Sequence, residues 1–389
     1  MTAFLAWIDF DQADRDRTRR IMDLFGEEDT RDELGIGSIR DGLSDLMFPG
    51  TSTIQTRLRY MFFVPWIYRM AAVHPGAPPA RMTRARALEM RLIVALERGG
   101  ETRGVIGRDA RETLKRLPSD VYWAGLKALG IRRSEGGRET CLGHAPDGMN
   151  PVWAAGLPDA PDAFLESEDF AIGFALTPEE AGFLRDRLQA TAPNSLFTRL
   201  ALSDGAAGAE HVWAHPLRSD WPKELQDVVS HAERLAVAVE GAARLYNRDL
   251  SRHAEATLGD EAGKWQERAE AHEAALLDWQ GTDPAHALAG WDLDALWELL
   301  APSAHTVLPS TRRFVTDWCA AIARTSGAVA DDAEARALVR LREERMKRGK
   351  ARFRNAAALT RWGGNSGTAV LSYRWGVVSD HLKDLADAA

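Results

Sequence analysis

Between Leu225 and Tyr246 the apolar positions fall at Leu225, Val228, Ala232, Leu235, Val239, Ala242 and Tyr246, alternately three and four residues apart. That spacing draws one apolar stripe along a helix, the seam of helices that wind around each other. Ala262, Trp265, Ala269, His272 and Leu276 repeat it after Gly259. Two such seams in succession predict an antiparallel helical hairpin over 225–280. Helical patterning governs most of the remaining chain. Asp11 or Asp14 can cap a helix reaching Phe25, and others are predicted at about 38–47, 82–98, 109–116, 119–129, 290–300, 309–325, 331–347 and 370–386. Thr177-Pro178-Glu179-Glu180 opens a further helix with proline at its first position.

The stretch FPGTSTIQTRLRYMFFVPWIYR, residues 48–69, changes character halfway. Ser52 and Gln55 have the spacing of a capping box, so a helix is expected to restart near Thr53. Pro65 should end or kink it. The apolar part, Met61 to Ile67, falls far short of the ~20 residues that cross a bilayer. It reads as a buried core helix.

The proline-rich HPGAPPA at 74–80 suggests a linker and three consecutive parts. Residues 1–80 read as an N-terminal helical domain. Residues 81–150 run helix, short helix, tight turn, helix and a glycine-rich segment from 131 that is a loop or a two-stranded ribbon. That is the order of a winged helix-turn-helix. Residues 151–389 form a C-terminal helical domain carrying the hairpin and a basic tract at 338–355. The expected class is mainly α.

Composition fits a globular protein, with 45% hydrophobic and 27% charged residues among 389. Two cysteines, Cys141 and Cys319, are too few for a disulfide framework, and the N-terminus lacks a basic start followed by an apolar run. A cytoplasmic protein without membrane contact is expected. The net charge of −8 argues against nucleic-acid binding by the molecule as a whole.

The basic residues are unevenly spread, however. Residues 81–138 hold fourteen Arg and Lys against seven Asp and Glu, and residues 340–354 hold eight against two. In a winged-helix arrangement Lys127, Arg132, Arg133 and Arg138 would face phosphates. In the second tract Arg345, Lys347, Arg348, Lys350, Arg352 and Arg354 suit backbone tracking, with Trp362 as the candidate base-stacking ring. For both tracts the alternative is a solvated arginine-rich surface, and for the second a helix C-terminus that favours cations. Most of the thirteen tryptophans, Trp66, Trp265 and Trp318 among them, sit at apolar positions that argue for packing.

Catalytic signatures are missing. Gly363-Gly364-Asn365-Ser366-Gly367 lacks the lysine of a phosphate-binding loop, and neither a GxSxG elbow nor an HExxH pair occurs. His211 and His215 are four apart, but Pro216 follows and further ligands are lacking. His381-Leu382-Lys383 is followed by Asp387 one position too early for the phospholipase-D type of nuclease motif. No catalytic residue, metal or cofactor is therefore expected. Thr51, Ser52 and Thr53 at the expected helix start, with Arg57 and Arg59 beyond, could hold an anion. The favoured alternative is that Ser52 only caps while the arginines pair with Asp41, Asp45 or other carboxylates, since capping alone explains the Ser/Gln pair.

RDELGIGSIRDGLSDLMFPGTSTIQTRLRYMFFVPWIYR, with LAWIDFDQADRDR before it and LSYRWG near the end, resembles an uncharacterised bacterial family, a domain of unknown function. The resemblance implies occurrence in anti-phage gene clusters, near helicase and nuclease-like genes, and transfers no catalytic residue. The expectation is a non-catalytic nucleic-acid-binding or adaptor subunit of a defence system, engaging DNA or RNA and a helicase or nuclease component. The alternatives are a metal-dependent nuclease with dispersed carboxylates and a pure protein–protein scaffold.

Overall fold

The computed structural model describes residues 34–143, 152–203, 208–259 and 263–388. The helix expected from Asp11 to Phe25, and Ala262, lie outside the described residues. Up to residue 203 the helices are α1 (Gly37–Met47), α2 (Tyr60–Ala72), α3 (Pro78–Arg98), α4 (Pro118–Ala128), α5 (Arg138–Gly143), α6 (Pro178–Thr191) and α7 (Leu196–Ala201). Beyond it come α8 (Lys223–Leu258), α9 (Lys264–Gly281), α10 (Pro284–Ala287), α11 (Leu293–Leu300), α12 (Pro309–Arg324), α13 (Ala333–Lys347), α14 (Ala356–Thr360) and α15 (Trp375–Ala386). The fold is mainly α, and no strand occurs among the described residues. Two compact units divide the chain: a first unit of Met1–Gly42 and His231–Leu371, and a second of Leu43–Ser230 and Ser372–Ala389. Each gathers segments distant in sequence, so the packing units interleave along the chain.

The second unit is built on α2, which is buried along ten of its thirteen residues. Phe63 lies against Phe164 and Phe174, and Tyr60 against Tyr122. Burying one such ring contributes roughly 2–3 kcal/mol. The helix begins at Tyr60, not near Thr53, because tertiary partners take the backbone groups that a helix would have used. Tyr122 Oη accepts the N–H of Thr56 (2.9 Å) and of Arg57 (3.1 Å), and Asp384 accepts that of Leu58 (2.8 Å). Pro65 lies inside α2 rather than ending it. The apolar burial on every side outweighs the ~3 kcal/mol a mid-helix proline costs. Among the described residues, no helix is long and apolar enough to cross a membrane.

The expected wing is replaced. Where a loop or a two-stranded ribbon was expected, Arg138–Gly143 forms α5, and among the described residues the extended pairing is one antiparallel bridge between Arg132 and Trp153. Adjacent Cys141 and Leu142 are both buried, a pattern that a strand with alternating faces could not give. The short helix expected at 109–116 is a single 3₁₀ turn, Arg111–Thr113.

In the first unit α8 and α9 form the expected hairpin, but α8 meets α9 through Val237, Gly241, Arg244 and Arg248 rather than through its predicted seam. Trp279 donates to Val237 O (2.9 Å), Arg244 to Ala275 O (3.0 Å), and Arg248 pairs with Glu273 (3.2 Å). Position falls along α9 as it rises along α8, so the two helices are antiparallel. Gly241 admits the Trp279 ring, since a Cβ there would lie 2.2 Å from it. Arg342, from the basic tract, is buried and donates to Leu34 O, Gly35 O, Ser310 O and Thr311 Oγ1. It pins the LGIG turn to the start of α12.

Candidate functional site

Three sets of candidate residues were expected from the sequence, and the structure treats them differently. The Thr51–Arg59 segment is a turn-rich loop. Thr51 Oγ1 donates to Phe48 O at 2.7 Å, and Arg374 binds both Thr51 O (2.8 Å) and Asp45 (2.5 Å). Gln55 N donates to Ser52 O and Gln55 Nε2 to Gly50 O, so the capping box expected of Ser52 and Gln55 is not formed. The Ser52 hydroxyl is buried without a partner among the described residues. Thr53 is half-buried in the same loop.

Arg57 grips Asp384, with 2.6 Å to Oδ1. Burial opposes its charge, but the hydrogen bond and field of Asp384 raise its pKa above the ordinary value. Arg59 pairs with Glu180 at 3.0 Å and donates to Gly173 O. Glu180 meanwhile completes a capping box with Thr177 at the start of α6. Both guanidiniums are thus closed by carboxylates from distant segments.

The Lys127–Arg138 set of the second unit is likewise turned to local use. Lys127 bonds Arg133 O and Glu135. Arg132 is buried, lies 4.8 Å over the Trp123 ring and donates to Ser134 O and Gly136 O. Desolvation lowers its pKa. Arg138 pairs with Asp120 at 2.5 Å and bonds Ser119 Oγ. Arg133 alone of the four is exposed with no side-chain partner among the described residues.

The 338–355 tract of the first unit divides by direction. Arg352 turns inward to Tyr246 Oη (3.0 Å). Trp362 is buried, so it is not an open stacking ring. It lies parallel to Trp265 with centroids 5.6 Å apart and donates to Ser366 Oγ. Asn247 clamps Ser366 by two hydrogen bonds of 2.7 Å, which folds the glycine-rich loop back over the tryptophans. Arg345, Arg348, Lys350 and Arg354 are exposed, and Lys347 is half-buried. Arg348 stands at φ 51°, so the chain leaves α13 abruptly there.

Beside this tract a groove of about 430 Å³ opens between α8 and α13. From α8 come Asp249, Arg252 and His253; from α13 come Ala333, Arg336, Ala337 and Arg340; Phe353 completes the lining. These are one-face positions on each helix, yet the facing stripes carry arginine and alanine where packed helices would interdigitate apolar side chains. Five arginines share three carboxylates here. Arg248, Arg252 and Arg336 pair with Asp249 and Glu273, and Arg340 and Arg354 pair with Glu344. Except for buried Arg248, their side chains are 44–69% exposed.

Arg340 also lies 5.3 Å over the Phe353 ring, and the His253 ring is 5.5 Å from that ring. Burial, and then the neighbouring Arg340, lower the His253 pKa, which favours a neutral imidazole. Burial would raise the Glu344 pKa, but hydrogen bonds from Arg354 and Arg340 hold it below the ordinary value. Arg252 and Arg336 escaped the sequence reading because they lie outside the tract; the only signal was their place on arginine-bearing helical stripes. Among the described residues no three His, Cys, Asp or Glu side chains are grouped to hold a metal ion.

A model described as a family of unknown function (DUF6361) matches residues 2–389, and the chain belongs to that family. No curated protein and no solved structure matches it.

Proposed function

We propose that this DUF6361 protein is a non-catalytic nucleic-acid-binding or adaptor subunit of a bacterial anti-phage system. The observation that carries the reading is the surplus of outward cations on the first unit. Arg345, Arg348, Lys350 and Arg354 are exposed on one short tract, next to a groove where arginines outnumber the carboxylates that pair with them. Such a surface releases counterions from a phosphate backbone, which drives binding despite a net charge of −8. The defence setting and a helicase or nuclease partner are supported by the gene neighbourhoods that the family resemblance implies.

Binding is tested by titrating the protein into labelled DNA and RNA between low and physiological salt. The expected result is affinity that falls steeply with salt and weakens when Arg345, Arg348 and Lys350 are replaced together by Gln. Indifference to every nucleic acid at low salt would reject the proposal.

A further inference from the structure

We infer that the groove between α8 and α13 grips an extended single strand of nucleic acid, with Arg336 and Arg340 holding successive phosphates. The inference rests on the nucleic-acid reading above and sharpens it to one site and one form of ligand. Its basis is how these two guanidiniums are held. Arg336 is tied through Nε to Asp249 at 2.9 Å, and Arg340 through Nε to Glu344 at 3.1 Å. In each case the paired Nη groups have no hydrogen-bond partner among the described residues. A carboxylate on Nε fixes the guanidinium plane and leaves the two-pronged edge presented, the edge that fits a phosphate by two parallel hydrogen bonds.

The two residues are four apart on α13, so they stand one above the other at about 5–6 Å between Cβ atoms. That repeat is comparable to the step between neighbouring phosphates of an extended strand. Arg252 faces them from α8, anchored by Nη2 to Glu273 at 2.9 Å. The one acidic lining residue, Asp249, is paired with both Arg248 and Arg336.

Size selects a single strand. The groove encloses about 430 Å³, room for part of one strand but not for the cross-section of a duplex. A duplex would meet only the rims, whereas one strand can enter. Exposed Ala333 and Ala337, one turn apart, keep the α13 wall low between the arginines. Larger residues there would fill the space.

The test measures anisotropy of a labelled oligothymidylate, its duplex of equal length and a polyglutamate competitor, across a salt series. The wild-type protein should bind the single strand more tightly than the duplex. Arg336→Lys and Arg340→Lys keep the charge but lose the fork, and each should weaken single-strand binding by about tenfold. The double Arg336→Gln/Arg340→Gln variant should lower the slope of log affinity against log salt by about 1.4, two phosphates at ~0.7 each. Ala337→Glu, at an exposed helical position where folding is little affected, should abolish the preference for single strands. Melting curves confirm that each variant is folded.

Absence of binding to any nucleic acid by the wild type would reject the broader proposal, and this one with it. If the wild type binds and the Arg345/Arg348/Lys350 variant is weakened, but the groove variants bind like wild type, the groove is wrong and the surface reading stands. Preference for the duplex, or equal displacement by polyglutamate, would also overturn the single-strand assignment.

Discussion

Lys127–Arg138 in the second unit and Arg336–Arg354 in the first are both arginine-rich in sequence, yet they spend their arginines differently. In the second unit Arg132 is buried over Trp123 and capped by backbone carbonyls, and Arg138 is closed on Asp120. In the first, Arg336 and Arg340 touch carboxylates only through Nε, and Arg345, Arg348 and Lys350 project from the surface. A charge surplus therefore identifies where guanidiniums are, but not whether their donors are already used. Donor use separates an arginine that supports the fold from one that can hold a ligand.

The sharpest way to break this comparison is within α13 itself. Arg342→Met removes a buried guanidinium that donates to Leu34 O, Gly35 O, Ser310 O and Thr311 Oγ1, although Gly35 O keeps the Thr311 hydroxyl as a donor. The expected loss is about 3 kcal/mol or more of stability, read by denaturant unfolding. Arg345→Ala, three residues on, should change stability by less than ~0.5 kcal/mol. Equal effects would show that direction is not what distinguishes the two.

Next in size is binding. Replacing Arg345, Arg348 and Lys350 by Gln should cost a slope of about 2 in log affinity against log salt. Arg133→Gln in the second unit should leave binding within about twofold, since a single exposed cation supplies one phosphate contact at most. A larger loss from Arg133 than from the triple variant would move the interface to the second unit.

A further pair of expected effects concerns pH and falls on two buried groups of the second unit. His381 is fully buried, neither ring nitrogen has a partner among the described residues, and burial holds its pKa down to about 3. The unfolded chain takes a proton near pH 6.5 while the folded one does not, so stability is lost as pH falls below about 6.5, by at most ~1.4 kcal/mol per unit. Glu89 is the reverse. Burial pushes its carboxyl up to about 7, against hydrogen bonds from Ser119 N and Oγ. Its contribution is fully present below about pH 4.5 and is lost as pH rises towards 7. His381→Leu should flatten the acid side of a stability–pH curve and Glu89→Gln the neutral side. Curves unchanged by either substitution would mean that these groups titrate as they do in the unfolded chain.

The elements most legible in advance were those whose cause is local. The three-and-four spacing of Leu225 to Tyr246 and of Trp265 to Leu276 specifies α8 and α9 because each seam is a property of one helix. Thr177, Pro178 and Glu180 start α6 for the same reason. Illegible were the features whose partners lie far along the chain. Nothing near Ser52 shows that Tyr122 and Asp384 will claim the next backbone N–H groups, which moves the start of α2 to Tyr60. Nothing near Trp362 shows that Asn247 will fold its loop inward and bury the ring.

The candidate site divides along the same line. By itself the sequence determined a mainly helical chain, the long hairpin, a core helix too short for a membrane and a basic tract running through the end of α13. These follow from periodicity, length and composition, which act over one or two helical turns. Only the tertiary structure decided which arginines turn inward. It also set Asp249 and Arg252 of α8 across from Arg336 and Arg340 of α13, with 87 positions separating Asp249 from Arg336 in sequence and a groove between the helices. Side-chain direction and donor use depend on what packs opposite, and that neighbour is chosen by the fold rather than by the adjacent residues.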